Sequence, residues 1–163
     1  MKSMVVAYDR HRAIGKAGGR PWEGGKLRAD MKRFRELTRG KTVIMGRRTF
    51  QTDVGGRALP KRQNIVLSRE EFAAPEVETA HTLAEAYRLA KGDIVVIGGG
   101  QIYKEALPDI DTIYATEIDG DIEGDAFFPE LADDEWRETS REMFAPDEDN
   151  MYGYSFVTFK RIK

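Results

Sequence analysis

The feature that most constrains this chain is a series of short apolar runs, rich in β-branched residues, that recur along it with helix-patterned segments between them. Val43-Ile44-Met45 and Ile94-Val95-Val96-Ile97 are continuous rather than alternating. A strand with one wet face alternates apolar and polar residues, so an unbroken run needs cover on both faces, as in a parallel sheet sandwiched by helices. Strands are predicted over 4–8, 42–45, 64–67, 94–97, 112–118, 136–144 and 152–160. Helical spacing marks 27–38, 82–90 and 101–107, with Gly40, Gly92 and Pro108 as stop signals. The last two strands are joined by the polar connection 145–151 and read as an antiparallel hairpin. The predicted fold is a single-domain α/β protein over 1–163, with a mostly parallel central sheet flanked by helices and a C-terminal antiparallel hairpin.

Composition narrows the chemistry. The chain has 163 residues and no cysteine, and only His11 and His81 offer imidazole. Disulfide frameworks and thiolate chemistry are therefore excluded, and no metal site is expected. The first ten residues carry neither a cleavage pattern nor a membrane-length apolar run, so a cytoplasmic protein with no membrane contact is expected. Residues 1–69 hold 18 Lys/Arg and 5 Asp/Glu, whereas 70–163 hold 8 and 23. Two readings remain open: the halves compensate one another across one folded body, or the basic half gathers around small polyanions.

On a helical wheel begun at Leu27, the residues Met31, Phe34, Leu37 and Thr38 share a face, and Asp30 falls inside that apolar stripe. A carboxylate there needs a partner or a raised pKa. By itself it reads more readily as a first-turn aspartate stabilised by the helix dipole. Two strand-to-helix junctions suit phosphate. At Gly46-Arg47-Arg48-Thr49, backbone N–H groups, a hydroxyl and two guanidinium groups converge. At Gly98-Gly99-Gly100 the backbone can approach a pyrophosphate without Cβ atoms in the way, although the spacing is not G-x-G-x-x-G and a plain turn is the alternative.

Taken in order, Ala13-Ile14-Gly15, Pro21-Trp22, the helix with Asp30 and Phe34, Val43 to Arg47, Leu59-Pro60, Arg62, Asn64 to Ser68, Ile97 to Gly100, Tyr103, Thr116, Gly124-Asp125 and Phe128-Pro129 resemble the dihydrofolate reductase family of bacterial chromosomal type. The resemblance spans nearly the whole chain. It implies the dihydrofolate reductase fold and NADPH-dependent reduction of dihydrofolate to tetrahydrofolate, a step of one-carbon metabolism. It also implies that Asp30 binds the pterin, Thr116 joins its hydrogen-bond network, and Trp22 positions the ring and an ordered water. Val5, Val6, Ala7, Met31, Phe34, Val54, Leu59, Ile97 and Tyr103 match the apolar lining around the substrate rings, a role that ordinary core packing would explain as well. Arg62 matches the arginine that meets the substrate's α-carboxylate, and read alone it is a solvated turn residue.

For the cofactor, the resemblance points to Ala7, Ile14, Gly15, Gly46, Arg47, Arg48, Thr49, Leu67, Ile97, Gly98, Gly99, Gly100, Gln101, Ile102 and Tyr103. Ser68 and Arg69 match the 2′-phosphate site that favours NADPH over NADH. Antifolate-type molecules are implied ligands, no nucleic acid is expected, and the family's commonest state is the monomer. Three features depart from the pattern: Glu23 to Lys26 lengthen the connection before Asp30, Arg20 occupies a usually apolar loop position, and Gln101 stands where arginine is common. The nearest alternative is the riboflavin-pathway pyrimidine reductase of related fold. Others are a nucleic-acid-binding module and a catalytically silent NADPH-binding protein.

Overall fold

The computed structural model describes residues 1–15, 28–121 and 126–162. Its strands are β1 (Lys2–Tyr8), β2 (Ala13–Gly15), β3 (Thr42–Gly46), β4 (Gln63–Leu67), β5 (Val77–Ala80), β6 (Ile94–Val96), β7 (Thr112–Asp119), β8 (Ala126–Phe127), β9 (Trp136–Phe144) and β10 (Gly153–Arg161). The helices are α1 (Arg28–Thr38), α2 (Arg47–Thr52), α3 (Leu83–Leu89) and α4 (Gly100–Ala106), the last running into a 3₁₀ turn at Leu107–Asp109. An eight-stranded sheet runs in the order β5-β4-β3-β6-β1-β7-β10-β9, and β2 pairs with β8 apart from it. Pairing is parallel from β5 to β7 and antiparallel through β10 and β9.

The continuous apolar runs are explained by cover on both faces. Val43, Met45, Val66, Val95 and Ile97 pack with Phe50 and Phe34 on one side. Ile44, Ile65, Val96, Met4 and Val6 pack with Ala86, Tyr103 and Ala106 on the other. Val43, Ile44 and Met45 are fully buried, and burial of each such side chain is worth about 1.5–3 kcal/mol. The adjoining β3 and β6 occupy the middle of the sheet and carry no polar side chain on either face beyond the rim residue Thr42.

Element ends differ from expectation for local reasons. The helix predicted from Thr82 begins one residue later because Thr82 is its cap, its side chain accepting from the Glu85 N–H. The strands β2, β5 and β8 are only two to four residues long, so they carry little periodic signal. At β9–β10 the register shifts between Thr158 and Phe159, a bulge that breaks the regular edge of the sheet.

Ion pairs link the two halves of opposite charge. Arg10 meets Asp119 and Asp121, Arg12 meets Glu130, Arg28 meets Asp149 and Arg47 meets Glu70. Compensation across the folded body therefore operates, and Arg48 and Arg69, which form no ion pair among the described residues, lie on the wall of the cavity described next.

Candidate functional site

In an open parallel sheet the carboxyl ends of the strands, where neighbouring connections diverge, leave a crevice. Here β1 lies between β6 and β7, and a cavity of about 780 Å³ opens over the ends of β1, β3, β4 and β6. It gathers residues far apart in sequence. Asp30, Met31 and Phe34 come from α1; Val5, Val6 and Ala7 come from β1; Val54 and Leu59 come from the connection after α2. Of the other predicted residues, Ile14, Gly46, Arg47, Arg48, Thr49, Leu67, Ser68, Arg69, Ile97, Gly98, Gly99, Gly100, Gln101, Ile102 and Tyr103 also line it.

Asp30 is 8% exposed. The Thr116 hydroxyl on β7 donates to its Oδ1 at 2.8 Å, across 86 residues of sequence. The start of α1 is fixed from the terminal hairpin: the Ala29 N–H donates to Asn150 Oδ1 at 3.0 Å and the Arg28 N–H to the Asp149 carbonyl at 3.2 Å. Asn150 is in turn oriented by its Nδ2 donating to Asp147 at 2.9 Å. The 145–151 connection thus anchors the helix that carries the carboxylate, which its polar composition alone does not reveal.

At the other end of the cavity β3 and β6 finish side by side, with the Gly46 N–H donating to the Gly98 carbonyl at 2.8 Å and the Ile97 N–H to the Ile44 carbonyl at 2.9 Å. Both α2 and α4 begin there, and neither Gly46 nor Gly99 provides a side-chain cap. Gly98 has φ +121°, a conformation that side chains disfavour, and a Cβ on it would sit 3.2 Å from the Tyr103 hydroxyl oxygen. A Cβ on Gly99 would sit 3.2 Å from Thr49 Oγ1. The glycines keep a close backbone-lined cradle open beside the Thr49 hydroxyl. Tyr103 sets its hydroxyl 2.8 Å from the Val5 carbonyl and 2.9 Å from that of Ile97, clamping β1 to the end of β6.

Arg62 is not a solvated turn residue. Its Nε donates to Thr38 Oγ1 at 2.7 Å, Nη1 to the Pro60 carbonyl at 2.6 Å and Nη2 to the Arg35 carbonyl at 3.3 Å, which seats it at the carboxyl end of α1. One N–H on each terminal nitrogen remains for an end-on carboxylate. Burial, then the nearby Arg39 and Arg35, push its pKa down, so this corner is short of negative charge. Arg62 stands beside the cavity rather than in its wall.

Met31 lines the cavity although it is 40% exposed. Thr116 reaches the cavity through Asp30. Gly15 ends β2, next to Ile14 in the wall. Trp22 lies outside the described residues, as do Pro21, Arg20, Leu27, the longer Glu23 to Lys26 connection and Gly124-Asp125. Asp53, His81, Thr82, Leu83 and Glu105 also line the cavity and were not anticipated. His81 follows the overlooked strand β5, and its Nδ1 lies 2.8 Å from the Ser68 carbonyl. Recognising β5 would have placed it opposite Ser68.

A family model described as dihydrofolate reductase matches residues 1–161. The dihydrofolate reductase of Staphylococcus haemolyticus is 38% identical, covering 99% of this chain and 96% of that protein. That of Haemophilus influenzae is 40% identical, covering 98% of each. Among solved structures, the dihydrofolate reductase from Enterococcus faecalis complexed with NADP(H) and RAB-propyl is similar at TM-score 0.90 and 35% identity, over 100% of this chain and 97% of that one.

Proposed function

The chain belongs to the dihydrofolate reductase family, and from that premise we propose which of its residues carry the reaction. It is an NADPH-dependent oxidoreductase that reduces 7,8-dihydrofolate to 5,6,7,8-tetrahydrofolate, and the related pyrimidine reductase is not favoured. The observation that carries the residue assignment is the buried Asp30–Thr116 pair beside the apolar end of the cavity.

In this reading Asp30 accepts hydrogen bonds from the pterin's amino group and ring nitrogen, while Thr116 holds the carboxylate in place. Its negative charge favours a proton on N5, which makes the neighbouring carbon a better hydride acceptor. Trp22 positions the ring and a water for that proton. Val5, Val6, Ala7, Met31, Phe34, Val54, Leu59, Ile97 and Tyr103 enclose the rings and exclude water. Arg62 takes the α-carboxylate of the substrate with the two N–H groups that Thr38, Pro60 and Arg35 leave to it.

The cradle fits a dinucleotide because a Cβ at Gly98 or Gly99 would fill it. Gly46, Thr49, Gly98 to Gly100, Gln101 and Ile102 would hold the pyrophosphate, with Arg47, Arg48, Ser68 and Arg69 around the adenosine phosphate and Ala7, Ile14, Gly15, Leu67, Ile97 and Tyr103 along the remainder. When bound, NADPH supplies the hydride, and the protein supplies geometry and charge. Residues 1–163 are read as one domain of a cytoplasmic monomer that binds antifolate-type molecules in the substrate subsite and engages neither nucleic acid nor membrane. Among the described residues, no helix is long and apolar enough to cross a membrane.

Adding dihydrofolate to the protein with NADPH and following the nicotinamide absorbance tests this reading. Loss of absorbance that Asp30→Asn suppresses supports it. Turnover of the pyrimidine substrate instead would overturn it.

A further inference from the structure

On α1, Arg33 lies three residues beyond Asp30 and therefore on the same side of the helix. Its Nη1 donates to the Ala115 carbonyl at 2.9 Å. The guanidinium lies over the Phe156 ring, 4.4 Å from the centroid, and 5.9 Å from that of Tyr114. Among the described residues it forms no close ion pair, so this is a half-buried cation held by a carbonyl and a π-face. Burial lowers its pKa, against the opposing pull of Asp30, then Glu142, then Tyr114.

Ala115 immediately precedes Thr116, whose hydroxyl donates to Asp30. Within one helical turn α1 is thus joined twice to β7, by Asp30 to Thr116 and by Arg33 to Ala115. A rotation of α1 that broke one contact would strain the other. Besides Asp30, the charged and titratable described groups acting on Arg33 are Glu142 from β9 and the Tyr114 hydroxyl from β7, and β10 presents the Phe156 ring to it.

We propose that Arg33 is a positioning residue of the reduction: its charge, with its anchor on the Ala115 carbonyl, holds Asp30 ionised and aligned with Thr116 and sets the pH at which hydride transfer falls away. This rests on reading Asp30 as the group that favours substrate protonation. A nearby cation disfavours adding a proton to the coupled Asp30 and pterin system, so it places the midpoint of the rate profile lower than a neutral side chain would. Glu142 partly offsets that effect from the far side.

The test is single-turnover oxidation of NADPH by the whole chain with dihydrofolate, across pH. Arg33→Met keeps an unbranched apolar stem and removes the charge. Its midpoint is expected to move up by about half a unit to one unit, the size of a single charge acting over a few ångströms through partly wet protein. Arg33→Lys restores the charge and is expected to return the midpoint toward wild type. Glu142→Gln, on the exposed face of β9, is expected to shift it downward by less, and carries the test if Arg33→Met does not fold. Wild-type midpoints in Arg33→Met, or in Glu142→Gln where Arg33→Met does not fold, with Asp30→Asn still slow, would overturn the proposal and leave the role of Asp30 standing. A wild-type rate in Asp30→Asn would instead overturn the reading beneath it.

Discussion

Replacing Arg62 by leucine should separate substrate recognition from cofactor recognition, because the proposed reading assigns its guanidinium to the substrate's α-carboxylate alone. Three of its N–H groups are held by Thr38 Oγ1 and the Pro60 and Arg35 carbonyls, at 2.7, 2.6 and 3.3 Å. The other two, one on each terminal nitrogen, are the donors that the proposed reading offers to a carboxylate. Loss of that charge-assisted contact is worth about 1.5–3 kcal/mol, which weakens dihydrofolate binding by roughly 10- to 150-fold. The lower part of that range is favoured because the group is only partly buried and solvent screens it. Fold stability should fall by about 1 kcal/mol, because the variant leaves the fully buried Thr38 hydroxyl oxygen without its donor, a loss partly offset by relief of the crowding with Arg35 and Arg39. Equilibrium fluorescence titrations with dihydrofolate and with NADPH, alongside thermal melts, make the comparison. An equal loss for both ligands, or a dihydrofolate affinity within a factor of two of wild type, would refute the assignment of these two N–H groups.

Arg47→Ala and Arg69→Ala should each shrink the preference for NADPH over NADH, measured as the ratio of kcat/KM values; equal losses for both cofactors would show that neither arginine reads the 2′-phosphate. Gly98→Ala should destabilise the fold by about 1–3 kcal/mol and weaken NADPH binding, since the residue has φ +121° and its Cβ would press on Tyr103. A wild-type melt would show that the backbone relaxes there. Asp147 is held below the ordinary carboxylate range, first by the Asn150 side chain and then by the N–H of Asp149. A depressed carboxylate contributes stability above its unfolded pKa and loses it as pH falls through the folded value. The hairpin anchor of α1 should therefore loosen in acid, below about pH 4, and a protection factor for hydrogen exchange at the Ala29 N–H that stays constant from neutrality into that range would contradict this.

The central sheet was legible because β1, β3, β4, β6 and β7 are buried on both faces, and unbroken runs such as Ile94 to Ile97 have few other uses. Strands β2, β5 and β8 were not, since two to four residues leave no period to detect. Most of the cavity wall was named in advance through resemblance rather than through physics. Asp30 alone reads as a first-turn carboxylate, and the partner on β7 distinguishes it from one. The same limit hid Arg33, Asn150 and His81: each is polar, each acts through a contact distant in the chain, and nothing local in the sequence announces such a contact. The anchoring of Arg62 by Thr38 belongs to the same class, because it needs α1 and the start of β4 to be brought together.

Asp30→Asn tests the central claim most directly. The substitution keeps size, helix and apolar neighbours, and removes the charge that favours a protonated pterin. Single-turnover oxidation of NADPH, followed across pH, isolates hydride transfer from product release. The account predicts a variant that folds, binds both ligands and loses roughly two or more orders of magnitude in rate at neutral pH. Its rate recovers as pH falls and solvent protonates the substrate unaided, while wild type loses rate as pH rises through the apparent pKa of the coupled pair. A wild-type rate with a wild-type pH profile would contradict the account and leave Asp30 a structural carboxylate at the start of α1.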